Sequence, residues 1–135
     1  MSTTTTDVVY ESRVTRVGGQ VEAFLDHGIL ILFGDASPAE LHDISVLHEA
    51  SVSHDGPRPG DVIEAGEARL EVLAVGDVVR DNLLNLGHLD LKADGRSTPA
   101  LPGDVCVREG RLPTLTTGDV FRITRAATPE GNDPA

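Results

Sequence analysis

Ser37-Pro38-Ala39-Glu40-Leu41-His42-Asp43-Ile44-Ser45-Val46-Leu47-His48-Glu49-Ala50-Ser51-Val52-Ser53-His54 changes its structural period half-way along. Its first part reads as a helix start. Ser37 is placed to cap, Pro38 suits the first helical position, and Glu40 stands where a capping box needs it. The helix has room for little more than a turn, because Ile44 to Val52 has the two-residue period of a strand. Ile44, Val46 and His48 fall on one face, and Ser45, Leu47 and Glu49 on the other. Three of the five histidines, His42, His48 and His54, lie in this stretch, and alternation puts His48 on the apolar face.

The flanking sequence is also strand-rich. Val8 to Val17 alternates, with Val8, Tyr10, Ser12 and Val14 on one face, and Gly18-Gly19 closes it. Gln20 to His27 admits a short helix, since Val21, Phe24 and Leu25 follow i, i+3, i+4 spacing, and Gly28 ends it. Ile29 to Phe33 is a continuous apolar run of strand length, expected to be buried on both faces. Gly34-Asp35 turns the chain into the stretch quoted above.

Downstream, His54 to Gly60 is a loop by composition. One tripeptide then recurs, as Gly60-Asp61-Val62, Gly76-Asp77-Val78, Gly103-Asp104-Val105 and Gly118-Asp119-Val120. Glycine permits positive φ, aspartate bonds nearby backbone, and valine opens a strand. Unequal spacing makes this turn chemistry and excludes a solenoid. Strands are expected at Val62–Ala65, Ala68–Val75, His88–Ala93, Asp104–Arg108 and Asp119–Arg125. Asp77 to Leu86 reads as a second short helix with Gly87 at its C-terminal cap, and Asp94-Gly95 as a hairpin turn. Seven or eight short strands with two or three short helices predict an all-β domain, a small barrel or folded-over sheet. It is expected to span residues 8–126, with disordered termini at 1–7 and 127–135. With only 3% aromatic residues, the core is expected to be valine and leucine.

The chain has 135 residues and a formal net charge of −11, enough for one domain with its own core. That charge argues against nucleic acid and anionic membrane surfaces as partners and suits a protein with a basic face. No apolar run approaches the roughly 18–20 residues of a membrane helix. The polar start lacks the features of a signal peptide. Cys106 stands alone between valines and reads as a small buried hydrophobe. Together these features favour the cytoplasm.

No cofactor or metal motif is present. Cys-x₂-Cys and His-Glu-x-x-His are missing, and His42, His48 and His54, six residues apart, do not converge along a helix or a strand. The His-x-His strand pair of a metal-binding cupin is missing as well. So are Gly-x-Ser-x-Gly and any glycine-rich phosphate loop. Chemistry confined to this chain would therefore work through histidine. A neutral imidazole is a competent nucleophile toward a phosphoryl group, and phosphoryl transfer needs little beyond positioning and charge stabilisation. By periodicity alone His48 reads equally as a core residue, while His27, His42 and His54 read as solvated helix-end and loop positions.

Several short motifs add to this reading. Ser37-Pro38-Ala39-Glu40-Leu41, Val46-Leu47-His48, Val75-Gly76, Asp81-Asn82-Leu83, Leu86-Gly87-His88 and Asp94-Gly95 occur in that order. With Val14-Thr15-Arg16-Val17-Gly18 and Pro59-Gly60, the chain from about residue 8 to 125 resembles the enzyme IIA component of the glucitol/sorbitol-specific phosphotransferase system. The resemblance implies an all-β pseudobarrel of about seven strands folded on itself. It implies a cytoplasmic phosphocarrier that works without a cofactor or metal. The histidine phosphocarrier protein would donate a phosphoryl group to His48. Enzyme IIB and the IIC permease would receive it for uptake and phosphorylation of the hexitol, with the sugar chosen by the membrane components. Some members have a second histidine soon after the phosphorylated one. Here Glu49-Ala50-Ser51 follows, so His88 becomes the candidate supporting residue. Two other readings compete: a non-catalytic β-barrel interaction module, and a lipoyl- or biotinyl-like carrier using Lys92, the sole lysine.

Overall fold

Strand β1 (Thr6–Val17) pairs antiparallel with β3 (Val46–Ser53) on one side and with β8 (Val120–Ala126) on the other. In the computed structural model, which describes residues 6–127, these pairings close a barrel. The other strands are β2 (Ile29–Gly34), β4 (Val62–Ala65), β5 (Ala68–Val75), β6 (Leu89–Lys92) and β7 (Asp104–Val107). Around the barrel the order is β1-β3-β2-β6-β7-β5-β4-β8. Among the described residues the all-β expectation holds, with eight strands and no free edge. The disorder expected of the extreme termini falls mostly on 1–5 and 128–135, outside the described residues.

Two helices, α1 (Val21–Leu25) and α2 (Val79–Leu86), and a 3-10 turn at Ala39–Ile44 decorate the barrel. The turn is the crossover that lets β2 and β3 lie parallel, and a second parallel pair joins β6 to β7. That second pair corrects the hairpin reading of Asp94-Gly95. The tight turn is there, with Gly95 at φ 66° and the Arg96 amide donating to Asp94 Oδ1 at 3.1 Å. The chain then runs back through 96–103 before β7 starts, so the turn does not join antiparallel neighbours.

Three of the four Gly-Asp-Val turns share one device. The Asp61, Asp104 and Asp119 carboxylates accept the amides of Arg58, Leu101 and Thr116 at 2.8, 3.0 and 2.9 Å. Each aspartate amide in turn donates to the carbonyl of that same residue. Two reciprocal bonds lock the turn, and a strand begins at or just after the aspartate. The fourth copy, Gly76-Asp77-Val78, leads into α2, where the Val78 amide donates to Pro102 O at 3.1 Å.

Leu30, Leu32, Val46, Ile63, Leu91 and Ile123 are fully buried in the core. Each contributes about 1.5–3 kcal/mol of transfer free energy. Tyr10 and Phe121 lie there too, a departure from the all-aliphatic core expected from composition. Alternation fails at the start of β1, where Val9 is buried and Val8 is exposed. The cause is a bulge between Val8 and Tyr10 in the β1–β8 pairing, which shifts the inward phase by one residue. In β2 only Leu30 and Leu32 point into the core, and Ile29, Ile31 and Phe33 are half-buried on the other face.

Candidate functional site

His48 faces the barrel interior from β3, and its Cα is paired with Val14 of β1 and with Gly34 at the end of β2. Ser12, whose β3 partner is Ala50, is therefore the diagonal neighbour of His48. Ser12 Oγ lies 2.6 Å from His48 Nδ1, and the carbonyl oxygen of Gly87 lies 2.7 Å from Nε2. A carbonyl only accepts, so Nε2 carries the proton and donates it to Gly87. In the neutral ring Nδ1 then accepts from the Ser12 hydroxyl. The tautomer follows from partner chemistry.

Gly87 reaches the ring because it ends α2 in the left-handed conformation, at φ 64°. Its amide donates to Leu83 O at 2.9 Å, as a helix C-cap should. A side chain there would stand 2.6 Å from the Gly34 amide nitrogen, so only glycine permits this approach of α2 to the end of β2.

Two aromatic rings flank His48. Tyr10 and Phe121 lie with centroids 6.0 and 6.1 Å from that of His48, and the Phe121 ring is edge-on at 72°. Burial pushes the Tyr10 phenol up to about 12. It also pushes the His48 pKa down, the Gly87 carbonyl and the Asp35 carboxylate opposing it more weakly. The imidazole is thus held neutral near pH 7. Above the site opens a pocket of about 550 Å³, walled largely by apolar groups including Phe33, Pro38, Leu41 and Leu84. His48 and Gly87 belong to its lining, whereas Ser12 lies behind the ring in the barrel.

Ser37 also lines this pocket but is not the expected cap. Pro38 occupies the cap position, one residue before the first helical residue, and no side chain caps the turn. The Ser37 hydroxyl is buried with no partner among the described residues. The His42 ring secures the turn, with Nε2 donating to Ser37 O at 2.9 Å.

His88 stands apart from the ring nitrogens of His48. Its Nε2 is 3.0 Å from Asp90 Oδ1, and its ring stacks on Phe33 at 4.1 Å and 5°. His27 and His54 are exposed. Lys92 lies within β6, its amine 2.8 Å from the buried Asp104 carboxylate, so it does not sit at a hairpin tip as a swinging-arm lysine would. The partners that sequence reasoning missed are Ser12 and the Gly87 carbonyl. A serine between Tyr10 and Val14 on an inward face was the available signal, since a buried hydroxyl needs a partner.

The family described as PTS system glucitol/sorbitol-specific IIA component matches residues 9–122. The chain belongs to this family. The glucitol/sorbitol-specific EIIA components of Shigella flexneri and Escherichia coli (strain K12) are each 35% identical to it over 116 residues. Those alignments cover 86% of this chain and 94% of theirs. The crystal structure of a PTS system IIA component from Enterococcus faecalis V583 has the same fold, with a TM-score of 0.68. It is 21% identical, and the match covers 82% of this chain and 96% of that one. Family membership makes the protein a component of a phosphotransferase system, and the barrel with its few short helices is the fold of that crystal structure. Among the described residues no helix is long and apolar enough to cross a membrane.

Proposed function

We propose that the protein is a phosphocarrier that accepts a phosphoryl group on His48 and passes it on. The donor is the phosphohistidine of the histidine phosphocarrier protein. The acceptor is enzyme IIB of a glucitol/sorbitol system, acting with its IIC permease. One observation carries this reading: a single neutral imidazole, fixed at both nitrogens, lies at the base of an apolar pocket. A neutral ring keeps one nitrogen lone pair and needs only a change of tautomer to present it, and apolar walls limit the water that would hydrolyse a phosphohistidine.

The receiving atom in this reading is Nε2. Nδ1 faces Ser12 inside the barrel, where no donor protein reaches, while Nε2 faces Gly87 in the pocket lining. His48 is only 1% exposed, so transfer requires the Gly87 corner to withdraw. That corner is suited to it. Helix α2 has eight residues, and only Val79 and Leu83 are buried, while Leu86 is 55% exposed. A short helix with few buried contacts opens at low cost.

The test is incubation with phosphoenolpyruvate, enzyme I and the histidine phosphocarrier protein. The protein is expected to gain one phosphate, labile in acid and stable in base. Normal acceptance by His48→Ala would show that another residue carries the group.

A further inference from the structure

Ser12 and His48 are each 1% exposed, and their side chains are 2.6 Å apart. With Gly87 in place Nε2 holds the proton, so the ring's free lone pair is at Nδ1, sealed in the barrel. The nitrogen at the pocket is therefore not yet a nucleophile. The two partners differ in what they can do next. A carbonyl accepts only, whereas a hydroxyl donates or accepts by rotating its hydrogen.

We propose that Ser12 is a positioning residue that sets the tautomer of His48 for phosphoryl transfer. It donates to Nδ1 while Gly87 covers the ring and accepts from Nδ1–H once that carbonyl has withdrawn. This rests on the phosphocarrier reading.

The proton balance closes with water, which enters the pocket as it opens. With Gly87 withdrawn the ring is free to turn toward the pocket, where water protonates Nδ1 and takes the proton from Nε2, so the ring stays neutral overall before it settles back on Ser12. In the imidazolium between these steps both nitrogens donate, to water in the opened pocket, and Ser12 Oγ takes up the Nδ1–H as the ring returns. The Nε2 lone pair then attacks phosphorus as the P–N bond of the donor phosphohistidine breaks, and that electron pair stays on the donor ring. The new Nε2-phosphoryl imidazolium keeps its Nδ1–H on Ser12. Among the described residues nothing else bonds Nδ1.

The experiment compares wild type, Ser12→Ala and Ser12→Thr. Proton–nitrogen correlations across the His48 ring of the unphosphorylated protein report the tautomer. The rate of phosphate acceptance from the phosphorylated donor is measured alongside. Wild type is expected to show Nε2–H with Nδ1 as acceptor. Ser12→Ala is expected to shift the Nδ1 resonance and to accept phosphate about tenfold more slowly, the effect of one lost buried hydrogen bond. Ser12→Thr, which keeps the hydroxyl, is expected to recover most of the rate. The ring signals are read on folded protein, so a change in stability mimics neither result. If wild type takes phosphate on His48 and Ser12→Ala matches it in rate and ring shifts, the role of Ser12 is overturned alone. If wild type takes no phosphate on His48, the phosphocarrier reading falls and this role with it.

Discussion

His48 Nε2 and the Gly87 carbonyl oxygen are 2.7 Å apart, although the two residues belong to different layers of the molecule. One sits on a barrel strand, and the other ends a short helix outside the barrel. The same bond therefore fixes the ring's tautomer and covers the nitrogen proposed to receive the phosphoryl group. In the proposed phosphocarrier role, protection and activation of the histidine would be coupled through this single backbone group.

Gly87→Ala tests how tightly that group is placed. The new methyl would stand 2.6 Å from the Gly34 nitrogen and 3.3 Å from His48 Nε2, on a residue at φ 64°. The left-handed conformation alone costs alanine about 1 kcal/mol, and the close approaches to Gly34 and His48 add to it. Denaturant unfolding is expected to show a loss of about 2–3 kcal/mol. A loss below about 0.5 kcal/mol would mean that the corner does not pack against β2 as described.

His88 is expected to be dispensable for phosphate acceptance. Its ring is engaged with Asp90 and stacked on Phe33, and neither His48 nitrogen depends on it. His88→Ala should lose about 1 kcal/mol of stability while accepting phosphate within a few-fold of the wild-type rate. A hundredfold drop in that rate would give His88 a direct part.

How far the sequence carried this picture depended on the reach of each interaction. The reciprocal bonds of Asp61, Asp104 and Asp119 span three residues, so composition sufficed to place those turns. Alternation put Tyr10, Ser12 and Val14 on one inward face, and it failed only at Val8, where a bulge changes the phase. The Asp94-Gly95 turn was legible, but its neighbour strand was not, because a parallel pair is fixed by long-range register. The site shows the same division. Strand period turned His48 inward, and family resemblance singled it out. Its partners lie 36 and 39 residues away and emerged only from the pairing of β1 with β3 and from the close approach of α2 to β2.

Burial of His48 predicts a pH dependence of stability. Its pKa is lowered in the fold, so between that value and the unfolded value near ~6.5 the unfolded chain binds more protons. This contribution is complete above about pH 6.5 and is lost as pH falls below it. For a single group its slope is at most about 1.4 kcal/mol per pH unit. Urea unfolding of wild type and His48→Gln at pH 7.5 and 5.5 isolates the term. The wild type should lose more stability than the variant, and equal losses would mean that the ring is not buried neutral.

Arg125 is predicted to hold the loop between β3 and β4 to the barrel. From β8 its guanidinium donates to Asp61 Oδ1 and Oδ2 at 3.0 and 2.9 Å, to Asp55 Oδ2 at 2.9 Å and to Gly56 O at 2.9 Å. Asp61 is buried, and Arg80 approaches Asp55 from α2 at 2.8 Å. Burial alone would raise the Asp55 carboxyl, but the bonds from Arg125, Arg80 and the Gly56 amide together bring it down to about 2. Removing the guanidinium leaves the Asp61 carboxylate buried without its counter-charge, which costs about 3–5 kcal/mol. Arg125→Ala should therefore unfold at clearly lower denaturant at pH 7. The gap should narrow as pH falls from the unfolded value near ~3.8 toward 2, because a depressed carboxyl stabilises the fold only while it is ionised. Phosphate acceptance, assayed well below the unfolding temperature, should be unchanged, since Arg125 touches neither His48 nor the pocket lining. A stability loss that stayed constant from pH 7 to pH 2.5 would assign the effect to packing of the arginine stem, with no part for its charge.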